Sequence, residues 1–116
     1  KCAIASSIES KKISMIAQRF KFDEYIQAIV GADEVERGKP NPDIMLEASS
    51  KLGVRPKSCI VVGDTAYDVA SGKEAGMATV AVVRETTVMD ALIAQKPDWI
   101  VGDLSGLIVV LGILMP

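Results

Sequence analysis

Four polar side chains of this chain stand at the ends of apolar runs: Ser6, Lys39, Asp64 and Asp68. The sharpest case is Ile60-Val61-Val62-Gly63-Asp64-Thr65-Ala66-Tyr67-Asp68, an apolar run that stops at a glycine and releases two carboxylates four residues apart. Its β-branched residues predict a buried strand of a parallel sheet. Asp64 then falls at the strand's carboxyl end, the side of an open α/β sheet on which ligands bind. Lys39 lies in Gly38-Lys39-Pro40-Asn41-Pro42, where Pro40 holds it in extended geometry and so fixes where its side chain starts. Ser6 follows the short run Cys2 to Ala5 and offers a hydroxyl beside backbone amides. A hydroxyl with adjacent amides, a fixed ammonium and hard carboxylate oxygens together make a site for a phosphoryl group and Mg²⁺. Each residue also has a structural role to play. Ser6 stands three residues before Glu9, the spacing of a helix capping box, and Thr65 has the same relation to Asp68. For Lys39 the alternative is an ordinary solvated lysine, which the flanking rigidity disfavours.

Positioning these residues calls for alternating strands and helices. Cys2 to Ala5 reads as a strand, and Ile13, Ile16, Ala17 and Phe20 then recur at helical spacing. Phe22 to Tyr25 reads as a turn, and Ile26 to Val30 holds a second strand closed by Gly31. Asn41 as N-cap and Pro42 as first residue introduce a helix over Asp43 to Leu52 that ends at Gly53. Beyond Asp64, a helix from Ala66 to Ala75 ends at Gly76, and Thr79 to Val83 forms a fourth strand. Thr87 caps a short helix through Ile93, and Asp98 to Val101 forms a fifth strand after Lys96-Pro97. The uncharged segment Leu104 to Met115 is too short for a membrane span, which needs about 20 apolar residues. It is expected as a final helix capped by Asp103, with Leu104, Leu107, Ile108 and Leu111 inward. Val109, Val110 and Ile113 are left to face a neighbouring domain or subunit. The alternation predicts right-handed βαβ units: an α/β fold of three-layer, Rossmann-like type, a parallel sheet with helices on both faces.

Composition narrows the chemistry. With 116 residues the chain is expected to form one domain, and about two-thirds of its unfolded surface can be buried. A hydrophobic fraction of 49% with 4% aromatics describes an aliphatic core suited to a covered parallel sheet. The net charge of −2 and the lack of a basic stripe give no footprint for nucleic acid. There is no histidine, which removes Ser-His-Asp and Cys-His nucleophiles and imidazole-based zinc sites. The two cysteines, Cys2 and Cys59, fall at strand starts and are expected as buried free thiols, in keeping with a reducing cytoplasm. No signal peptide is visible, and Lys1 is not an initiator methionine, so the chain is expected to begin inside a longer gene product.

Taken in order, three segments resemble the motifs of a known group. Ala3-Ile4-Ala5-Ser6, Gly38-Lys39-Pro40-Asn41-Pro42-Asp43 and Val62-Gly63-Asp64-Thr65-Ala66-Tyr67-Asp68 are similar to the second, third and fourth motifs of the haloacid dehalogenase (HAD) superfamily. Lys96-Pro97-Asp98-Trp99-Ile100-Val101 is similar to the last strand of its phosphoglycolate phosphatase-like and β-phosphoglucomutase-like members. The resemblance implies an aspartate-nucleophile phosphohydrolase that uses Mg²⁺ on a small phosphorylated metabolite. Ser6 would bind the phosphoryl oxygens, with Ser7 a weaker candidate for a backbone-amide contact. Lys39 would neutralise charge between nucleophile and phosphoryl group. Asp64 would bind Mg²⁺, and Asp68 would complete or orient that acidic shell.

The departure from the family pattern is large. Family members start with Asp-x-Asp, whose first Asp is the nucleophile, and this chain contains no Asp-x-Asp. The helical cap domain inserted after that motif is missing too. Residues 1–116 are therefore expected to be the C-terminal portion of the core domain, without its first strand. In the family that strand lies between the strands carrying Ser6 and Asp64. The chain alone is expected to be inactive, and the place of the strand to be taken by an N-terminal segment of the same protein or by another subunit. A phosphosugar mutase, a non-catalytic phosphate- or partner-binding module and, lower, a carbon-halogen hydrolase are the competing functions.

Overall fold

Strands and helices alternate through the computed structural model, which describes residues 1–114, so Met115 lies outside the described residues. The order is β1 (Ala3–Ala5), α1 (Ser10–Arg19), β2 (Ala28–Val30), α2 (Asp43–Leu52), β3 (Ile60–Gly63), α3 (Ala66–Glu74), β4 (Ala78–Val82), α4 (Met89–Ala94), β5 (Trp99–Val101) and α5 (Leu104–Leu114). Single turns of 3₁₀ helix fall at Asp23–Tyr25, Ala32–Glu34 and Pro56–Ser58. Every strand pair is parallel, as the βαβ alternation predicts.

Among the described residues the strands form two sheets, β1-β2 and β3-β4-β5. The expected gap is therefore present: β1 and β3 do not pair. Its edges are defined by hydrogen bonding. Ser6 N–H donates to the Val30 carbonyl at 3.0 Å and Gln27 N–H to the Cys2 carbonyl at 2.8 Å, so even-numbered residues of β1 face β2. Because backbone groups alternate along a strand, those of Ala3 and Ala5 face the gap. On the other side, Ala78 N–H donates to the Cys59 carbonyl at 3.3 Å, which turns the groups of Ile60 and Val62 toward the gap. The reading of residues 60–62 as fully buried is corrected here. With a neighbour on one side only, β3 is an edge strand and Val62 is 44% exposed.

Helix α2 spans the two sheets. Its Ile44, Met45 and Ala48 join Val30 of β2 and Val61 of β3 in one apolar cluster with Ala75 and Met77. On the three-stranded side, the alternation of β4 divides the core. Val80 and Val82 pack with Val101, Val110 and Leu107 beneath α5, whereas Ala81 packs with Val69 of α3 and Leu92 of α4 on the other face.

Local expectations fared unequally. Helix α2 has the predicted limits, and Thr65 caps α3 with Asp68 in a reciprocal capping box. The Ser6 cap is corrected. Helix α1 starts at Ser10, Ser6 Oγ instead accepts from Ile8 N–H at 3.2 Å, and Asp33 caps α1 from outside by accepting from Ser10 N–H and Oγ at 2.7 and 2.8 Å. The N-cap of α2 is Pro42, not Asn41, whose side-chain amide donates to the Gly38 carbonyl. Thr87 does not cap α4, which starts at Met89. Ile13 and Ala17 of α1 are buried, while Ile16 and Phe20 are exposed. Asp103 does accept from Gly106 N–H as the α5 cap, but the inward face is turned: Val110 is buried, and Leu104 and Ile108 face out with Val109 and Ile113. Cys2 is exposed and Cys59 only partly covered, its thiol pushed up in pKa by burial.

Candidate functional site

The loop after β2 delivers Lys39 to the gap. Its ammonium donates to the Ala5 carbonyl, on the open edge of β1, at 3.2 Å and to Asp68 Oδ1 at 2.6 Å. Both side chains of this ion pair are 13% exposed. One cation thus ties the last residue of β1 to the first turn of α3, across the place where the sheet is divided.

Asp68 reaches that point because nothing separates it from β3. A Cβ placed on Gly63 would lie 2.4 Å from Asp68 Cβ, so only glycine lets the strand end pass beneath this carboxylate. Asp68 Oδ2 accepts from the Thr65 amide at 3.2 Å and from its hydroxyl at 2.9 Å. Burial pushes the Asp68 carboxyl up, but the hydrogen bond and charge of Lys39, with the two Thr65 donors, outweigh it and hold the group below its ordinary pKa. Of the two functions weighed for Asp68, the helix cap is formed, and the same side chain also pairs with Lys39.

Asp64 is differently placed. Its carboxylate has neither a hydrogen bond nor an ion pair among the described residues, while its backbone carbonyl accepts from Thr87 Oγ1 at 3.1 Å. Thr87 also accepts from Arg84 N–H, so the loop after β4 is strapped to the Asp64 turn. This role was missed because Thr87 precedes a helix and reads as its cap. Ser71 Oγ, buried on α3, donates to the Asn41 carbonyl at 2.6 Å, a contact without a local signal. Ser6, next to Ala5, spends its own N–H on Val30, and Ser7 is exposed.

Fit to a divalent cation can be judged on these donors. No cluster of three or more His, Cys, Asp or Glu suited to a metal exists among the described residues. Both Asp68 oxygens are already engaged by Lys39 and Thr65. Asp64 remains, a free hard-oxygen donor, and Mg²⁺ is commonly held by one or two carboxylates with water and phosphate oxygens completing the octahedron. The chain fits such an ion through Asp64. Two cavities lie elsewhere: one of about 470 Å³ is lined by Glu34, Arg37, Asp43 and Glu47 among others, and one of about 560 Å³ by Pro40, Asn41, Ala70 and Glu74 among others. The candidate residues Lys39, Asp64 and Asp68 gather instead at the divided sheet.

Known proteins resemble this chain in sequence and fold. Pyrophosphatase PpaX of Bacillus cereus is 32% identical over 111 residues, which are 96% of this chain and 51% of the relative. A HAD phosphatase from Thermococcus onnurineus superimposes with a TM-score of 0.83 at 27% identity, over 97% of this chain and 50% of that one. A HAD family hydrolase from Deinococcus radiodurans shares the fold with a TM-score of 0.85 at 24% identity, over 97% and 52% of the two chains. The chain thus spans about half the length of the curated relatives it matches. No helix among the described residues is long and apolar enough to cross a membrane. The family model for haloacid dehalogenase-like hydrolases matches residues 1–82, from β1 to the end of β4, and the chain belongs to that family.

Proposed function

We propose that this chain is the C-terminal portion of the core domain of a Mg²⁺-dependent phosphohydrolase of the aspartate-nucleophile type, acting on a small phosphorylated metabolite in the cytoplasm. The observation that carries this reading is the Lys39 ammonium, held between the end of β1 and Asp68 on the same sheet edge as the free Asp64. Lys39 presents positive charge to an incoming phosphoryl group, and Asp68 keeps it aimed. Ser6 contributes a hydroxyl donor to the phosphoryl oxygens, with Ser7 adding a backbone amide. Asp64 would hold Mg²⁺, directly or through water, and Asp68 would orient the acidic shell through Lys39 and Thr65. The ion, when bound, neutralises charge on the phosphoryl oxygens.

The attacking carboxylate is supplied by residues outside this chain. A parallel strand between β1 and β3, from an N-terminal segment of the same protein or from another subunit, would satisfy the backbone groups of Ala3, Ala5, Ile60 and Val62. It would carry its own carboxylate to Lys39 and Asp64. The free cysteines agree with a reducing compartment. The relatives named pyrophosphatases make inorganic pyrophosphate a substrate to test beside organic phosphate esters.

The test is phosphate release from an aryl phosphate and from pyrophosphate, with Mg²⁺ and with EDTA, by the full-length protein and by residues 1–116 alone. Mg²⁺-dependent release by the full-length protein and none by the shorter chain is expected. Turnover by residues 1–116 alone would disprove the missing nucleophile, and isomerised sugar phosphate without phosphate release would favour a mutase.

A further inference from the structure

We propose that Ser71 is a positioning residue for Lys39, setting where the ammonium stands relative to Asp64 by anchoring the Lys39 loop to α3. The proposal rests on the reading of Lys39 as the cation that meets the phosphoryl group.

Ser71 is fully buried, three residues after Asp68 on α3, and its Oγ donates to the Asn41 carbonyl at 2.6 Å. That carbonyl has no helical donor, because the first bond of α2 runs from Leu46 N–H to Pro42 at 2.9 Å. The loop is also closed on itself. The Asn41 backbone and side-chain amides both donate to the Gly38 carbonyl at 3.1 Å. Lys39 therefore projects from a small ring whose backbone is hydrogen-bonded to α3 by the Ser71 hydroxyl.

The anchor itself is rigid. A Cβ on Gly72 would meet Thr79 Cγ2 and Val61 Cγ2 at 2.9 Å, so α3 lies directly on β3 and β4 at this point. Lys39 is thus held twice against one helix, at its tip by Asp68 and at its root by Ser71. The tip contact alone leaves a side chain with four rotatable bonds and a mobile base. Catalytic geometry is sensitive to such freedom, since displacements near 1 Å are costly to rate.

The experiment uses the full-length protein with Ser71→Ala, and Ser71→Cys as a second variant of similar size and weaker donor strength should the alanine variant fail to fold. Two quantities are read in parallel: steady-state phosphate release, and the rate at which Lys39 reacts with an amine-specific reagent, followed by peptide mass spectrometry. Folded Ser71→Ala should lose roughly 10- to 100-fold in kcat with KM changed less than about twofold. Lys39 should label severalfold faster, with exposed Lys12 and Lys57 unchanged as internal controls. Unchanged kcat and labelling in a folded variant overturn the proposal. A fall in kcat with no change at Lys39, or faster labelling with normal kcat, overturns it equally. If the parent protein releases no phosphate, the proposed function fails, and the labelling comparison alone decides whether Ser71 positions Lys39.

Discussion

In the β3-β4-β5 half of the sheet, β4 has a strand on each side, and Val80, Ala81 and Leu92 are all 0–1% exposed. In the β1-β2 half, both strands are three residues long, β1 has a neighbour on one side only, and each of its residues is partly exposed. The first half is held by apolar packing on both faces. The second depends on what crosses to it: α2, the Ser71 tether and the Lys39 ammonium on the Ala5 carbonyl. A cation suited to meet a phosphoryl group is therefore also a structural bond across the divided sheet. An open edge of this kind stays available to one more strand.

The comparison can be strained from each side. The largest effect is expected for Leu92→Ala, at 0% exposure on the inner face of α4, which should cost about 3–4 kcal/mol in urea unfolding, while Ile4→Ala in β1 should cost only about 1 kcal/mol. Equal costs would show that the two halves are equally well packed. Next is Lys39→Met, which leaves Asp68 covered and unpaired and should cost about 3 kcal/mol, the lower end for a broken buried pair. A neutral result would remove Lys39 from the joint between the halves. Thr65→Ala, which loses the α3 cap without touching Lys39, should cost about 1 kcal/mol and separate capping from bridging.

The smallest effect is a change in pH dependence. The Asp68 carboxyl is held below its ordinary value of 3.8 in the folded chain, so its contribution to stability is complete above about pH 4 and is lost as pH falls through the lower folded value. Asp68→Asn should flatten this acid leg of a stability-pH curve and leave the curve above pH 5 parallel to that of the parent. An unaltered acid leg would place the acid-sensitive carboxylate elsewhere, for instance at Asp33 or Glu34, both also held low by hydrogen bonds from Ser10 and Lys51 respectively.

Local partners are legible in the sequence only in part: the caps read at Ser6, Asn41 and Thr87 do not form, while two other local readings hold. Thr65 and Asp68 form the capping box that their three-residue spacing predicts, and α2 runs from Asp43 to Leu52 because a proline turn and Gly53 bound it locally. The alternation of apolar runs likewise determines a parallel α/β fold and brings Ser6, Lys39 and Asp64 to the same ends of their strands. The tertiary structure decides the partners at long range. Asp33 takes the cap of α1 from 23 residues away, Lys39 chooses Asp68 over Asp64 across 29, and Ser71 finds Asn41 across 30. Helix α5 shows the limit from another side. Its residues are nearly all apolar, so periodicity carries no phase, and only packing against β4 and β5 turns Val110 inward and Ile108 out. Sequence alone thus names the candidates, Ser6, Lys39, Asp64 and Asp68. Which carboxylate the lysine pairs with, and which has no partner among the described residues, follows from the crossing of loop, strand edge and helix at the divided sheet.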